Sequence, residues 1–74
     1  MGFDYSKLRG RIIEKFGSCK AFGIAMGHSG VWISTRLNNV VPWSTDEIKE
    51  ACAPDKLDIA PADIPAYFFT PLFR

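Results

Sequence analysis

The segment from Ser18 to Asn39 constrains the fold more than any other part of the chain. It holds two short apolar-periodic runs, each preceded by a serine, with Gly27-His28-Ser29 between them. Ser18 is placed to cap a helix running to about Met26, its hydroxyl accepting a first-turn N–H that has no partner inside the helix. Phe22, Ala25 and Met26 form the stripe expected to be buried. Gly27 supplies the left-handed residue that ends such a helix. Ser29 then caps a second helix from Gly30 to Leu37, in which Ile33 and Leu37 lie one turn apart and face inward. Gly30, Val31, Ser34, Thr35 and Arg36 are left on its other faces. Asn38-Asn39 closes it, asparagine being a residue that tolerates the left-handed conformation. Two short helices joined by a turn of about three or four residues containing glycine define a helix-turn-helix over 18–39. Ala25, Met26, Ile33 and Leu37 are the wedge expected to set its angle.

The flanks read as further helices. Tyr5, Leu8, Ile12 and Phe16 recur at three- and four-residue spacing, which predicts a helix over 4–16 with Asp4 as its N-cap and Gly17 as its stop. Lys7, Arg11 and Lys15 fall on another of its faces. Ser44-Thr45-Asp46-Glu47 is a capping-box sequence, with Glu47 reaching back to the N-cap N–H. The helix it opens places Ile48, Ala51 and Cys52 on one face, and Pro54 stops it. Residues 57–69 read as one or two helical turns broken by Pro65, with at least two of Tyr67, Phe68 and Phe69 closing the core, and 70–74 as an extended tail. No segment alternates apolar and polar residues as a half-buried strand does. The expected fold is therefore all-α: one compact four- to five-helix domain spanning residues 1–74, a length that leaves no room for a second domain.

Composition excludes several classes. With 47% hydrophobic and 14% aromatic residues the chain is not a disordered segment. Its longest apolar run is far shorter than a membrane span of roughly 18 residues needs, and the N-terminus lacks a signal-peptide layout. A soluble, cytoplasmic protein is expected, without membrane association. Cys19 and Cys52 are isolated and His28 stands alone, so neither metal, disulfide nor cofactor is expected. No nucleophile-base pair is suggested, and a ligand pocket is hard to build in so small a core. The chain reads as a non-enzyme with no small-molecule ligand. Charge is unevenly divided. Residues 1–40 carry Lys7, Arg9, Arg11, Lys15, Lys20 and Arg36 against Asp4 and Glu14, while residues 41–74 are net acidic. A basic half of this kind suits a polyanion-facing side.

The opening Phe3-Asp4-Tyr5-Ser6-Lys7-Leu8-Arg9-Gly10-Arg11-Ile12 and the ending Ile64-Pro65-Ala66-Tyr67-Phe68-Phe69-Thr70 resemble short phage Cro-like regulators. Gly27-His28-Ser29 and Ile33 to Asn39 resemble the turn and recognition helix of the wider Cro and repressor family. The resemblance implies a lambda-repressor/Cro-like DNA-binding domain, a transcriptional repressor that inserts the 30–37 helix into the major groove of an operator. It implies double-stranded DNA as partner, bound by a homodimer. The DNA-contacting residues it implies are Ser18, Lys20, Ser29, Gly30, Val31, Thr35, Arg36, Asn38 and Asn39. Among them Arg36 is the candidate for a bidentate contact to guanine, and Val31 offers an apolar surface to a thymine methyl or packs internally. Asn38 and Asn39 bond phosphates or serve as helix caps.

Several positions depart from that family's pattern. Cys19 stands where a phosphate-binding Gln is common, leaving that contact to Lys20. Gly23 replaces the usual Ala, and Gly30 puts no side chain at a base-reading position. Trp32 beside it is either a core or interface anchor or a group on the DNA side. Pro54-Asp55-Lys56 interrupts where relatives continue their fourth helix. The second reading is a protein-binding antirepressor or adaptor that keeps the helix-turn-helix fold and grips another regulator, with the aromatic C-terminal segment in its support.

Overall fold

The computed structural model describes residues 2–72. Five α-helices follow one another: α1 (Ser6–Phe16), α2 (Cys19–Ala25), α3 (Gly30–Leu37), α4 (Thr45–Ala51) and α5 (Ile64–Phe68), the last preceded by a 3-10 turn, Pro61–Asp63. The fold is all-helical, as the periodicities predict. The sole strand-like feature among the described residues is an isolated antiparallel bridge between Phe3 and Pro71. The tail beyond Thr70 is thus extended as far as it is described; Phe73 and Arg74 lie outside the described residues.

Local capping chemistry sets most boundaries. Ser18, Ser29 and Ser44 each cap their helix, accepting the N–H of Ala21, Trp32 and Glu47 respectively. At the end of α2, His28 N–H bonds Gly23 O and Gly27 N–H bonds Ile24 O, both at 2.9 Å. This paired arrangement satisfies two terminal carbonyls and needs a left-handed residue, supplied by Gly27 at φ 82°. Asn39, at φ 62°, repeats it at the end of α3, with Val40 N–H on Thr35 O.

Three local expectations are corrected. The α1 helix begins at Ser6, and its N-cap is Tyr5. Asp4 lies one residue too early and instead folds its carboxylate over the entry, accepting from Ser6 N–H at 2.9 Å and Ser6 Oγ at 2.6 Å. These bonds hold the Asp4 carboxyl below its ordinary value. Ala25 is exposed, because the buried sector of α2 turns through Phe22 and Met26 to Gly23, where α3 crosses. Pro65 does not break the last helix. It occupies the first turn of α5, where no N–H is required.

The core joins Tyr5, Leu8 and Ile12 of the α1 region, Phe22 and Met26, Ile33 and Leu37, Ile48, Ala51 and Cys52, Leu57, Ile59 and Phe68. Burial pushes the Cys52 thiol above its usual range. Of the C-terminal aromatics, Phe68 is fully buried and Tyr67 partly so, whereas Phe69 is exposed. The basic face of α1 is largely occupied within the molecule. Lys7 Nζ lies 4.9 Å from the centre of the Tyr67 ring, and Arg11 donates to Leu57 O and Asp58 O at 2.9 and 3.1 Å. Among the described residues no helix is long and apolar enough to cross a membrane.

Candidate functional site

The α2–α3 pair is the most closely packed unit of the chain, and glycine makes it so. A Cβ at position 23 would stand 2.7 Å from the backbone oxygen of Ser29. Gly23 therefore allows α2 to meet the start of α3 backbone to backbone, which explains its departure from the expected alanine. At the neighbouring contact a Cβ at position 30 would lie 3.3 Å from Lys20 Cγ. The methylenes of Lys20 thus lie against Gly30, while the residue as a whole stays exposed.

The nine residues implied as DNA contacts fall into three groups. Lys20 and Val31 are exposed, with Gly30 between them half-buried under the Lys20 stem. Ser18 and Ser29 have their hydroxyls on backbone N–H groups as caps, at 3.1 and 3.2 Å. The remaining four are drawn into internal contacts. Asn38 Nδ2 donates to Ser34 Oγ at 3.2 Å. Asn39 exchanges two 3.0 Å bonds with Phe3, accepting its N–H and donating to its carbonyl, and so holds the N-terminal segment as a strand neighbour would. Thr35 Oγ1 donates to Trp32 O at 2.8 Å and accepts from Arg36 Nη1 at 3.2 Å.

Arg36 departs furthest from its expected placement. Its Nη2 bonds Glu47 Oε2 at 3.1 Å, and its side chain is only 16% exposed. Its guanidinium lies over the Trp32 ring, 4.8 Å from the centroid. The reason is geometric: on α3, Arg36 falls on the side of Trp32, facing the start of α4, and not on the side of Val31. Arg36 therefore does not share the exposed side of Lys20, and Thr35, one turn after Val31, is half-buried. Burial of the Glu47 carboxyl raises its pKa, but the Ser44 N–H and the Arg36 guanidinium outweigh that effect and hold it below the usual carboxylate range.

Trp32 resolves as a packing anchor. His28 stacks on it at 4.2 Å and 8°, and its edge meets Trp43, which in turn meets Phe68, at 5.6 and 5.2 Å. Sequence reasoning identified Glu47 as a cap but missed its second bond. It also missed the outward placement of Ile24, which is 59% exposed one turn after Lys20. The 20/24 spacing was the available signal for that shared face.

The end of α3 is thus tied to the N-terminal segment through Asn39 and Phe3. The chain is similar to the solution structure of the modulator of repression (MOR) of the temperate bacteriophage TP901-1 from Lactococcus lactis. The two are 48% identical with a TM-score of 0.80, covering 93% of this chain and 90% of that one. This is a phage-associated small regulatory protein. It belongs to the family described as "Protein of unknown function (DUF739)", whose pattern matches residues 1–71. No functionally curated protein matches it. Of the Cro-like resemblance, these likenesses bear out the coarser part alone, a phage regulatory protein.

Proposed function

We propose that the chain is a protein-binding modulator of a phage repressor: an adaptor that retains the helix-turn-helix fold and grips another regulator. The observation that carries this reading is the enclosure of Arg36. A base-reading helix needs hydrogen-bonding side chains that project into the groove. Here the strongest such group on α3 is engaged by Glu47, Thr35 and Trp32, and the exposed positions before its C-cap are Val31 and Ser34. The likeness to a modulator of repression supports the same reading. Its action requires no chemistry at a reactive group, so catalysis has no place in the proposal, and its working compartment is the bacterial cytoplasm.

Direct operator binding as a homodimer is the second reading. The helix-turn-helix pair itself and the exposed Lys20 favour it. The two separate cleanly on co-expression with the repressor of the phage genome that carries this chain. Co-purification of a stoichiometric complex without DNA supports the adaptor. A chain that elutes alone, yet binds a palindromic duplex with an affinity falling steeply with salt, supports the operator reading.

A further inference from the structure

We propose that the groove between the end of α4 and the 54–64 segment grips the partner, and that its occupant is the basic, DNA-facing surface of the repressor, with an aliphatic side chain seated beside lysine or arginine. This rests on the adaptor reading and specifies its site. The groove is one continuous cavity of about 610 Å³, in which Cys52, Ile59, Pro61 and Ile64 form the apolar lining and Lys49 and Asp58 carry the charges. Its walls are tied together by backbone. Leu57, Asp58 and Ile59 donate their N–H groups to the carbonyls of Ala51, Ala53 and Cys52 at 3.0, 3.0 and 3.2 Å. Arg11 holds the same turn through Leu57 O and Asp58 O, keeping Asp58 in the left-handed conformation at φ 51°. A site fixed in this way has little conformational freedom left to lose when it is filled.

Charge identifies the occupant. Asp58 is exposed, and its carboxylate forms no ion pair among the described residues. Asp46, Lys49 and Cys52 follow at three-residue spacing, so Asp46 continues the row of α4 that lines the groove. Glu50 and Asp63 are the chain neighbours of the lining residues Lys49 and Ile64. All three of these acids are exposed and equally without a cation among the described residues. Lys56 is already paired with Asp55 at 3.2 Å. The apolar lining therefore has the carboxylates of Asp46, Glu50, Asp58 and Asp63 in or beside it, against the single ammonium of Lys49. A repressor holds operator phosphates with lysine and arginine, so its DNA-facing surface is basic. That surface meets opposite charge here, and an apolar anchor within a polar rim is the anatomy of a protein interface. Duplex DNA is repelled by the same carboxylates.

The test is calorimetric titration of the full chain into the purified repressor of the phage that carries it, using wild type, Ala60→Arg and the double variant Asp58→Asn with Asp63→Asn. Ala60 lies in the groove lining, where arginine fills the space and reverses the charge. All three positions are exposed, and asparagine tolerates the left-handed backbone at position 58, so circular dichroism melts should show retained folding. Ala60→Arg and the double variant are each expected to weaken binding by at least about tenfold. Saturating the repressor with its operator duplex beforehand is expected to abolish binding. A loss confined to Ala60→Arg, or a ternary complex of chain, repressor and duplex, overturns the basic, DNA-facing occupant. Wild-type binding that neither variant alters overturns the groove while leaving the adaptor reading intact. Absence of wild-type binding overturns both, and self-association of the chain that Ala60→Arg abolishes would then assign the groove to a second copy.

Discussion

Glu47 divides its two carboxylate oxygens between Arg36 and its own helix start. Oε2 accepts from Arg36 Nη2 at 3.1 Å, and Oε1 accepts from Ser44 N–H at 3.0 Å. One side chain thus completes the capping box of α4 and fastens α4 to α3. The same bond that removes Arg36 from the surface fixes the orientation of the helix carrying Val31.

Removal of Arg36 leaves a partly buried carboxylate without its cation. Arg36→Ala is expected to cost about 1–3 kcal/mol, toward the lower end because the Glu47 side chain keeps 21% of its exposure. In a domain of this size that corresponds to a fall in Tm of several degrees, roughly 4–8 °C per kcal/mol. Glu47→Ala should cost more, since it also removes the cap, worth about 1 kcal/mol. Urea titrations of the two single variants and the double variant would give the coupling directly.

Acid should weaken the same link. The Glu47 carboxyl is held below its ordinary value of 4.5 in the folded chain. The unfolded chain therefore binds the proton more readily between that value and the lower folded one. The contribution is fully present above pH 4.5 and is lost as pH falls through the folded pKa. Stability measured by urea from pH 6 to pH 3 should drop more steeply in wild type than in Glu47→Gln. Equal slopes would remove Glu47 from the account of acid sensitivity.

Gly23→Ala sets helix propensity against packing. In an isolated helix the change is favourable by about 1 kcal/mol. Here the new methyl would meet the Ser29 carbonyl at 2.7 Å, and backbone cannot rotate away as a side chain can. A net loss of about 1–3 kcal/mol is expected, the usual cost of overpacking. A higher Tm for Gly23→Ala would show that α2 and α3 can separate without penalty.

Asn39 combines backbone and side-chain roles that two substitutions separate. Asn39→Gly keeps the left-handed residue at φ 62° but loses both bonds to Phe3. Asn39→Ala loses both bonds and adds about 1 kcal/mol or more of backbone strain. Hydrogen exchange at the Phe3 amide should quicken in both variants, whereas Tm should fall further for alanine. Unchanged exchange at Phe3 in Asn39→Gly would mean that the bridge to Pro71 alone holds the N-terminal segment.

What sequence alone made legible follows the range of the interactions. Caps act within a few residues, so Ser18, Ser29 and Ser44, together with the left-handed stops at Gly17, Gly27 and Asn39, could be read from spacing. The apolar repeats of α1 and α3 were equally local. The fate of Arg36 was not, because its partner lies on another helix and a solvated arginine has the same sequence signature as a paired one. Asn39 likewise meets Phe3 across 36 positions, and no local rule anticipates that bond. Ala25 and Gly23 exchanged roles because the crossing point of α3 decides which face of α2 is covered. The candidate site was therefore legible as a scaffold, while the identity of its outward-facing side chains emerged only from the packing.

The most direct test of the adaptor reading is calorimetric titration of this chain into the phage repressor with no DNA present. The account predicts saturable one-to-one binding with Kd of about 1 μM or tighter, insensitive to added duplex of unrelated sequence. No heat of binding to the repressor, with salt-dependent binding of the chain alone to an operator duplex, would contradict it.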